Sequence, residues 1–174
     1  MMRICSVLIM GLLAWGMAGF AAENRGTALQ KQRLDPGMPS FNFHYPDING
    51  KTVKLEDVKG KYVYIDIWAT WCGPCKAEIP DLKELEKEFK GKKIVFMSIS
   101  CDTDKAAWEK YVKEEQLGGL QLWMGKGKDM KDFYGIQTIP RFILLDRKGN
   151  IVDAWMTRPS DKKTKETLLN LKGI

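Results

Sequence analysis

Two cysteines three residues apart are the strongest chemical signal in the sequence. Cys72 and Cys75 lie in the segment WATWCGPCKAEIP, in a chain that has only four cysteines. A metal site built on such a pair normally needs a second pair or two histidines, and the chain has one histidine, His44. A disulfide that closes so short a loop removes little entropy from the unfolded chain, so a purely structural bridge explains the pair poorly. The spacing favours thiol–disulfide redox chemistry over zinc or copper binding.

The residues around the pair predict a strand that leads directly into a helix. The run YVYIDIWA, residues 62–69, is apolar on both faces apart from Asp66, as in a central strand that is covered on both sides. Pro74 can start a helix because its missing N–H costs nothing in the first turn, and Pro80 should kink that helix. Cys72 would then lie at the helix N-terminus, where free N–H groups favour the reactive thiolate.

The positions of the two thiols in this helix predict different roles for them. Cys72 would attack a substrate disulfide, and Cys75, one turn further and less exposed, would resolve the mixed disulfide and release the reduced substrate. Cys75 must lose its proton, and the candidate acceptors are Asp66 and Glu78, which lies one helical turn after Cys75. Burial would raise the pKa of such an acid toward neutrality. The alternatives are a structural hydrogen bond for Asp66 and a solvated helix position for Glu78.

Other segments predict the remaining elements of the fold. Residues 41–58 alternate around Asn49-Gly50, which predicts a hairpin with a tight two-residue turn. The run KIVFMSIS predicts a second buried strand, and Asp102 or Thr103 could cap the helix that follows it. Three further strands are predicted at LQLW, FILLD and IVDAW, and a last helix at about Ser160 to Leu171. The expected fold is α/β: a mixed sheet with helices on both faces, preceded by a β-hairpin.

The segment DIWATWCGPC resembles the active-site segment of thioredoxins, and the resemblance includes Pro80. In that family a buried Asp assists the second cysteine, as Asp66 would, and a cis-proline distant in the sequence faces the disulfide. The segment TIP, which ends at Pro140, matches the latter. The backbone at Ile139 would pair with an extended substrate peptide. The resemblance thus implies a redox-active Cys72–Cys75 disulfide and a substrate-binding surface formed by Trp71, Gly73, Pro74, Ile139 and Pro140.

More specifically, CKAEIP, IPRFILLDRKGNIV, the hairpin and the N-terminal leader are similar to the exported thioredoxin-like group that includes ResA and TlpA, thiol-disulfide oxidoreductases of bacterial envelopes. In that group a Glu three residues after the second cysteine takes part in the active site, and Glu78 matches it. The chain departs from the group in having Gly73-Pro74 between the cysteines. It departs from thioredoxins in having Arg141, where they commonly have Thr, so the choice of partners does not follow from the resemblance.

The first 22 residues have the pattern of a signal peptide, with Arg3 followed by an apolar run that ends in small residues. The alternative is an uncleaved membrane anchor, since about 19 apolar residues are near the minimum for a membrane span. Residues 23–38 predict a flexible polar linker, and residues 39–174 the thioredoxin-like domain. We expect the domain to act in the periplasm or cell envelope, and to be tethered to the membrane only if the leader stays in place.

The composition limits the partners of the protein. The chain of 174 residues is 44% hydrophobic and 29% charged, which is typical of one globular domain. Its formal charge of +6 is dispersed, and runs such as KGKDMKDF mix Lys with Asp. A nucleic-acid-binding protein would instead cluster its basic residues on one face. We expect the protein to bind no nucleic acid, metal or cofactor and to be a monomer.

Together these patterns predict an exported thiol-disulfide oxidoreductase that reduces protein disulfides with electrons from a membrane-embedded or periplasmic donor. Cytochrome c maturation is one use that the resemblance implies. The first alternative is a peroxiredoxin-like peroxidase, for which the surroundings of Cys101, SISCDTD, lack the Thr/Pro-rich loop of a peroxide-reactive cysteine. Cys101 ends an apolar strand, and we expect a small core residue there. The second alternative is a thiol-based metal-binding module.

Overall fold

A five-stranded mixed sheet forms the centre of the fold. The computed structural model describes residues 34–174. The strands of this sheet, in chain order, are β3 (Tyr62–Trp68), β4 (Ile94–Ser100), β5 (Leu120–Trp123), β6 (Arg141–Leu145) and β7 (Ile151–Met156). They are arranged in the order β5-β4-β3-β6-β7, with β3, β4 and β5 parallel and β6 and β7 antiparallel to their neighbours. The mixed sheet predicted from the sequence is confirmed.

Strand β3 is buried along its whole length because helices cover both faces of the sheet. The helices are α1 (Gly73–Ala77), α2 (Ile79–Glu88), α3 (Lys105–Glu114), α4 (Asp129–Phe133) and α5 (Lys162–Leu169). Alternate β3 residues point to opposite faces. Tyr62 and Tyr64 pack with α2 and α5, whereas Val63, Ile65 and Ile67 pack with α3 and α4. Asp66 shares the phase of Tyr64 and therefore lies on the face that α2 covers.

A separate two-stranded sheet, β1 (His44–Pro46) and β2 (Thr52–Lys54), forms the predicted hairpin, and a short 3₁₀ helix (Leu55–Val58) follows it. The prediction of a tight two-residue turn was wrong, because the loop spans five residues, 47–51. The Asp47 carboxylate closes it by accepting hydrogen bonds from the backbone N–H groups of Asn49 (2.8 Å) and Lys51 (2.9 Å). Only Gly50 of the predicted pair has a positive φ.

Two helix boundaries differ from the sequence predictions. The helix after the cysteines is divided at Glu78, and Pro80 lies in the first turn of α2, where its missing N–H is tolerated. Helix α3 is capped by Asp104, which accepts a hydrogen bond from the Ala107 N–H at 3.1 Å, and not by Asp102 or Thr103. The Asp102 carboxylate is buried and binds other groups.

The described chain already contacts the sheet before residue 39. The Gly37 N–H donates to the Ile151 carbonyl at 2.7 Å, and the Ile151 N–H donates to the Met38 carbonyl at 2.8 Å. The predicted leader, and most of the predicted linker, lie outside the described residues. Within residues 34–174, no helix is long and apolar enough to cross a membrane.

Candidate active site

The cysteine pair lies where β3 leads into α1. Cys72 and Cys75 form a disulfide, with their Cα atoms 5.3 Å apart. Cys72 is the N-cap of α1, and its Sγ accepts a hydrogen bond from the backbone N–H of Cys75 at 3.2 Å. Pro74 lies in the first turn. When the disulfide is reduced, this N–H is placed to stabilise a Cys72 thiolate, which is the form that attacks disulfides.

An open cleft leads to Cys72. The cleft has a volume of about 840 Å³, and its lining includes Trp71, Cys72, Pro74 and Ile139. Trp71 is 68% exposed at the rim, whereas Cys72 and Cys75 are both buried, at 5% and 3% exposed. The Ile139-Pro140 peptide bond is cis, and the Ile139 carbonyl oxygen lies 3.9 Å from the Cys72 Sγ. The fold thus brings the predicted substrate-binding residues from two distant segments to one sulfur atom.

A second groove, of about 520 Å³, lies beside Pro140 and is lined by Arg141, Trp155 and Arg158 among others. Trp155 is 57% exposed on β7, and the Arg141 guanidinium carbon lies 4.9 Å from the centroid of one of its rings. Arg141 also donates to the Ala154 carbonyl at 3.5 Å. These contacts hold a positive charge directly after the cis-proline, in a groove separate from the cleft at Cys72.

Asp66 is a buried acid in the central strand. It is 8% exposed and pairs in register with Ser98 on β4 and Phe142 on β6. Burial, which disfavours the carboxylate, raises the pKa of Asp66 to about 8, and the negative charges of Glu78 and Glu86 add to this. An acid with such a pKa can accept and release a proton near neutral pH.

Glu78 is also buried, at 7% exposed, so the alternative of a solvated helix residue does not hold. Its carboxylate accepts hydrogen bonds from the Ser160 N–H (3.0 Å), the Ser160 hydroxyl (3.1 Å) and the Arg158 guanidinium (3.3 Å). These contacts connect the junction of α1 and α2 to the segment before α5. The charge of Glu78 acts on Asp66, since it contributes to the raised pKa of that residue.

Three polar residues near the site were not predicted to belong to it, and one of them, Asp102, was considered only as a helix cap. The Asp102 carboxylate accepts hydrogen bonds from the Thr70 N–H (3.0 Å) and from the Ser100 hydroxyl (2.7 Å), which fixes the chain two residues before Cys72. Arg158 pairs with Glu78 from 80 residues away, and no local pattern predicts it. Glu86 could have been found, because it lies four residues after the buried Leu82 and so on the core-facing side of α2.

Cys101 is placed in the core, although it also lines the cleft that reaches Cys72. Its thiol donates a hydrogen bond to the Trp68 carbonyl at 3.2 Å. Burial is the main cause that raises the pKa of the Cys101 thiol, which is the opposite of what an activated nucleophile requires. His44, the single histidine of the chain, lies exposed on β1. In the described part of the chain, no group of three or more His, Cys, Asp or Glu side chains could hold a metal ion.

The site combines a cysteine pair at the start of a helix with a buried acid and with a cis-proline beside the Cys72 sulfur. On a mixed sheet, this combination defines a thioredoxin-like dithiol oxidoreductase. The chain belongs to the AhpC/TSA family, whose model matches residues 36–154.

The proteins to which the chain is similar are named for the same chemistry. The thiol-disulfide oxidoreductase ResA of a Bacillus cereus strain is 30% identical over 151 residues, which is 87% of this chain and 86% of the relative. A solution structure from Bacteroides vulgatus, of a protein assigned as a thiol-disulfide oxidoreductase, is 59% identical. It has a TM-score of 0.71 and covers 82% of this chain and 96% of its own.

The thioredoxin domain of another thiol-disulfide oxidoreductase from Bacteroides vulgatus is 30% identical, also with a TM-score of 0.71, over 79% of this chain and 97% of its own. These similarities and the geometry agree with the predicted class of enzyme. The chain is a thioredoxin-like thiol-disulfide oxidoreductase, so that prediction is confirmed. Protein thiols and disulfides are the class of substrate that this activity implies.

Proposed function

We propose that this enzyme is an exported reductant of protein disulfides, with Cys72 as the attacking thiol and Cys75 as the resolving thiol. The observation that carries the assignment is the asymmetry of the pair. Both cysteines are buried, at 5% and 3% exposed, but the lining of the cleft includes Cys72 and not Cys75. Cys72 also has a backbone N–H donor 3.2 Å from its sulfur. A protein disulfide can approach the first sulfur from the cleft, and the second sulfur is within reach of the first.

The reaction transfers two electrons from the enzyme dithiol to the substrate disulfide. The Cys72 thiolate attacks one substrate sulfur, a bond forms between these two sulfurs, and the other substrate sulfur leaves as a thiolate that takes up a proton. Cys75 gives its proton to the Asp66 carboxylate and attacks Cys72 as a thiolate. The enzyme disulfide forms, as the structure has it, and the second substrate thiolate leaves. A donor must then reduce the Cys72–Cys75 disulfide before the next cycle.

The residues around Cys72 have separate roles in this scheme. Trp71, Gly73 and Pro74 form one side of the cleft and Ile139 the other, with its carbonyl 3.9 Å from the sulfur. An extended substrate segment would lie between them and contact the backbone of Ile139 beside Pro140, so that chain shape and not side-chain identity is recognised. Glu78 acts on the proton transfer through its effect on the pKa of Asp66.

The reducing direction rests on Gly73-Pro74 between the cysteines, the dipeptide of thioredoxin. Thioredoxin has a reduction potential near −270 mV and the oxidant DsbA one near −120 mV, a gap of about 7 kcal/mol for two electrons. The signal-peptide pattern predicted for the first 22 residues supports export, and the donor is then a membrane-embedded or periplasmic thiol protein. We further propose that the enzyme works as a monomer, since each step above uses residues of one chain.

A trapping experiment tests the assignment of the two thiols. The Cys75→Ser variant, expressed in its native envelope, should accumulate mixed disulfides between Cys72 and its substrates, which mass spectrometry would identify. Cys101→Ser and Cys72→Ser serve as matched controls and should trap none. Recovery of no mixed disulfide from Cys75→Ser would count against Cys72 as nucleophile.

Three further measurements test the direction of electron transfer and the alternative activities. The Cys72–Cys75 couple, equilibrated with glutathione buffers, should have a potential closer to the thioredoxin value than to the DsbA value. A potential close to that of DsbA would overturn the reductant assignment. Peroxide consumption that persists in Cys72→Ser would support a peroxidase instead, and tight zinc or copper binding lost in Cys75→Ser would support a metal-binding module.

A further inference from the structure

The mechanism leaves a proton on a residue with little access to solvent. Asp66 accepts the Cys75 proton in the proposed scheme, on which this inference rests, and Asp66 is 8% exposed in a strand that helices cover on both faces. Asp66 must be a carboxylate to accept that proton, and because burial raises its pKa to about 8 it holds a proton of its own near pH 7, which must first leave for solvent. The residues that surround Asp66 therefore decide how fast the second thiol can react.

A small cavity adjoins Asp66. Its volume is about 10 Å³, close to the minimum that holds one water molecule. The residues with polar side-chain atoms that line it are Asp66, Trp68, Glu86, Gln121, Ser98 and Lys83. The Trp68 indole N–H and the Gln121 side-chain carbonyl are buried, and within residues 34–174 neither has a hydrogen-bond partner. One unpaired donor and one unpaired acceptor around a polar cavity of this size match the needs of a single water molecule, which binds two to four polar partners.

Glu86 connects this cavity to the surface. Its side chain is half-buried, and its carboxyl group lies against Gly118-Gly119 before β5. A Cβ atom on Gly119 would lie 2.8 Å from the Glu86 Oε1, and a Cβ atom on Gly118 would overlap the same carboxyl group. The two glycines therefore leave the space that the Glu86 carboxyl occupies.

The charges around Glu86 also fit proton exchange. Burial raises the pKa of Glu86 to about 7, although the nearby Lys83 opposes this, and the charge of Glu86 contributes to the raised pKa of Asp66. The Lys83 ammonium donates to the Glu115 carbonyl at 2.7 Å. The residues from β4 and β5 that line the cavity, Ser98 and Gln121, are neutral.

We propose that Glu86 exchanges the proton of Asp66 with solvent through one water molecule held in this cavity. The Cys75 thiol gives its proton to the Asp66 carboxylate, Asp66 passes it to the water, the water passes one to the Glu86 carboxylate, and Glu86 releases it to bulk solvent. The path runs in reverse when the donor reduces the disulfide. Glu86 contacts neither sulfur. It acts only through Asp66, by exchanging the proton of that residue, and it does not hold the substrate.

The test compares Glu86→Gln with Glu84→Gln, an exposed glutamate on the same helix. The reduced enzyme reacts with a peptide disulfide that carries a chromophoric thiol, and stopped flow follows both mixed-disulfide formation and the release step that Cys75 drives, from pH 5 to 9. Glu86→Gln should leave formation unchanged and slow release about tenfold or more near pH 7, whereas Glu84→Gln should change neither rate.

The direction of the effect separates the relay from simple electrostatics. Removal of the Glu86 charge lowers the pKa of Asp66 and gives it more carboxylate at pH 7, so a purely electrostatic role predicts release that is as fast or faster. Release in Glu86→Gln that is unchanged or faster would therefore overturn the relay. In an Asp66→Asn background, the second substitution should add no further loss, since Glu86 acts through Asp66.

A second variant covers the case in which Glu86→Gln folds poorly. Gly118→Ala keeps both carboxyl groups but displaces that of Glu86, and it should slow release without a change in mixed-disulfide formation. Normal release in Gly118→Ala, with the Glu86 side chain shown to be displaced, would contradict the proposal. Both assays use a synthetic peptide, so their failure is distinct from a failure of Cys75→Ser to trap proteins in the envelope.

Discussion

The Sγ of Cys72 lies 3.9 Å from the carbonyl oxygen of Ile139, although 67 residues separate the two in the sequence. The contact joins the start of α1 to the segment before β6, and the cleft opens between them. A substrate segment that lies along Ile139 is thereby presented to the sulfur of Cys72. All three cysteines of the described residues are buried in the core, but only Cys72 combines a place in the cleft lining with a backbone N–H donor at its sulfur.

This placement predicts a clear order of thiol reactivity in the reduced protein. Cys72 should be alkylated by iodoacetamide at pH 7 at least about tenfold faster than Cys101, because Cys72 has an N–H donor at its sulfur and burial raises the pKa of the Cys101 thiol. Mass spectrometry of peptides after timed quenching would measure the rates. The Cys101→Ser variant should keep full disulfide reductase activity. Comparable alkylation of Cys72 and Cys101 would contradict this order.

The fold could be predicted from the sequence because the burial of each face of a strand determines the local pattern of apolar and polar residues. The apolar run of β3 indicated burial on both sides, and the one acid in it, Asp66, could be recognised as unusual for that reason. The capping residue of α3 was misassigned because several polar residues in a row could each accept the N–H of the first turn. Asp104 takes that position because the Asp102 carboxylate is bound to Thr70 and Ser100.

The remaining parts of the site depend on contacts between distant segments, which periodicity does not encode. Glu78 is three residues from Cys75 in the sequence, but its three hydrogen bonds go to Arg158 and Ser160. The small cavity beside Asp66 combines residues of β3, α2, β4 and β5. The sequence could name Asp66 and Glu78 as candidate acids, but only the assembled fold shows that Glu86 lines the small cavity beside Asp66.

Replacement of Glu78 by Gln should move the pH dependence of the resolving step. The charge of Glu78 helps to raise the pKa of Asp66, so its removal should lower that pKa and shift the pH profile of Cys75-driven release to lower pH. The buried hydrogen bonds to Ser160 and Arg158 should also weaken, with a loss of stability of about 1–2 kcal/mol. Stopped-flow release rates from pH 5 to 9 and urea unfolding would measure the two effects.

Glu88→Gln is the matched control for this change, since Glu88 forms an exposed ion pair with Lys165 at 2.7 Å. It should alter stability by less than about 1 kcal/mol and leave the pH profile in place. A Glu78→Gln profile that coincides with that of the wild type would show that Glu78 has only a structural role.

Arg141 should make the enzyme prefer substrates with acidic residues near the reacting cysteine. Its guanidinium is held on Trp155 in the groove beside Pro140, where the flank of a bound substrate segment would lie. We expect kcat/KM for a peptide disulfide with flanking Asp residues to exceed that for the same peptide with Lys by about three- to tenfold at low ionic strength, with the difference reduced by salt. Arg141→Gln should remove most of the preference.

The control for Arg141 is Arg147→Gln, an arginine stacked on Tyr62 in the turn between β6 and β7, at the other end of β6 from the cis-proline. This variant should keep the preference of the wild type. An equal loss in both variants would indicate that net charge, and not the position of Arg141, sets the rate.

Asp66→Asn should stabilise the folded enzyme at alkaline pH. The pKa of Asp66 is raised from its ordinary value of 3.8 to about 8, so the folded state holds this proton more tightly than the unfolded state does. The associated stability is fully present below about pH 4 and is lost as the pH rises through 8, because the buried carboxyl must then ionise. Asn cannot ionise and avoids this loss.

The expected gain from Asp66→Asn is therefore small near pH 4 and grows to a few kcal/mol at pH 9. Urea unfolding of the oxidised protein at several pH values would measure it, since the disulfide keeps Cys72 and Cys75 from titrating. Asp104→Asn is a suitable control, because Asp104 caps α3 at an exposed position and Asn caps about equally well. If Asp66→Asn, Asp104→Asn and the wild type all lost the same stability between pH 5 and 9, ionisation of the buried Asp66 would not be the cause of the pH dependence.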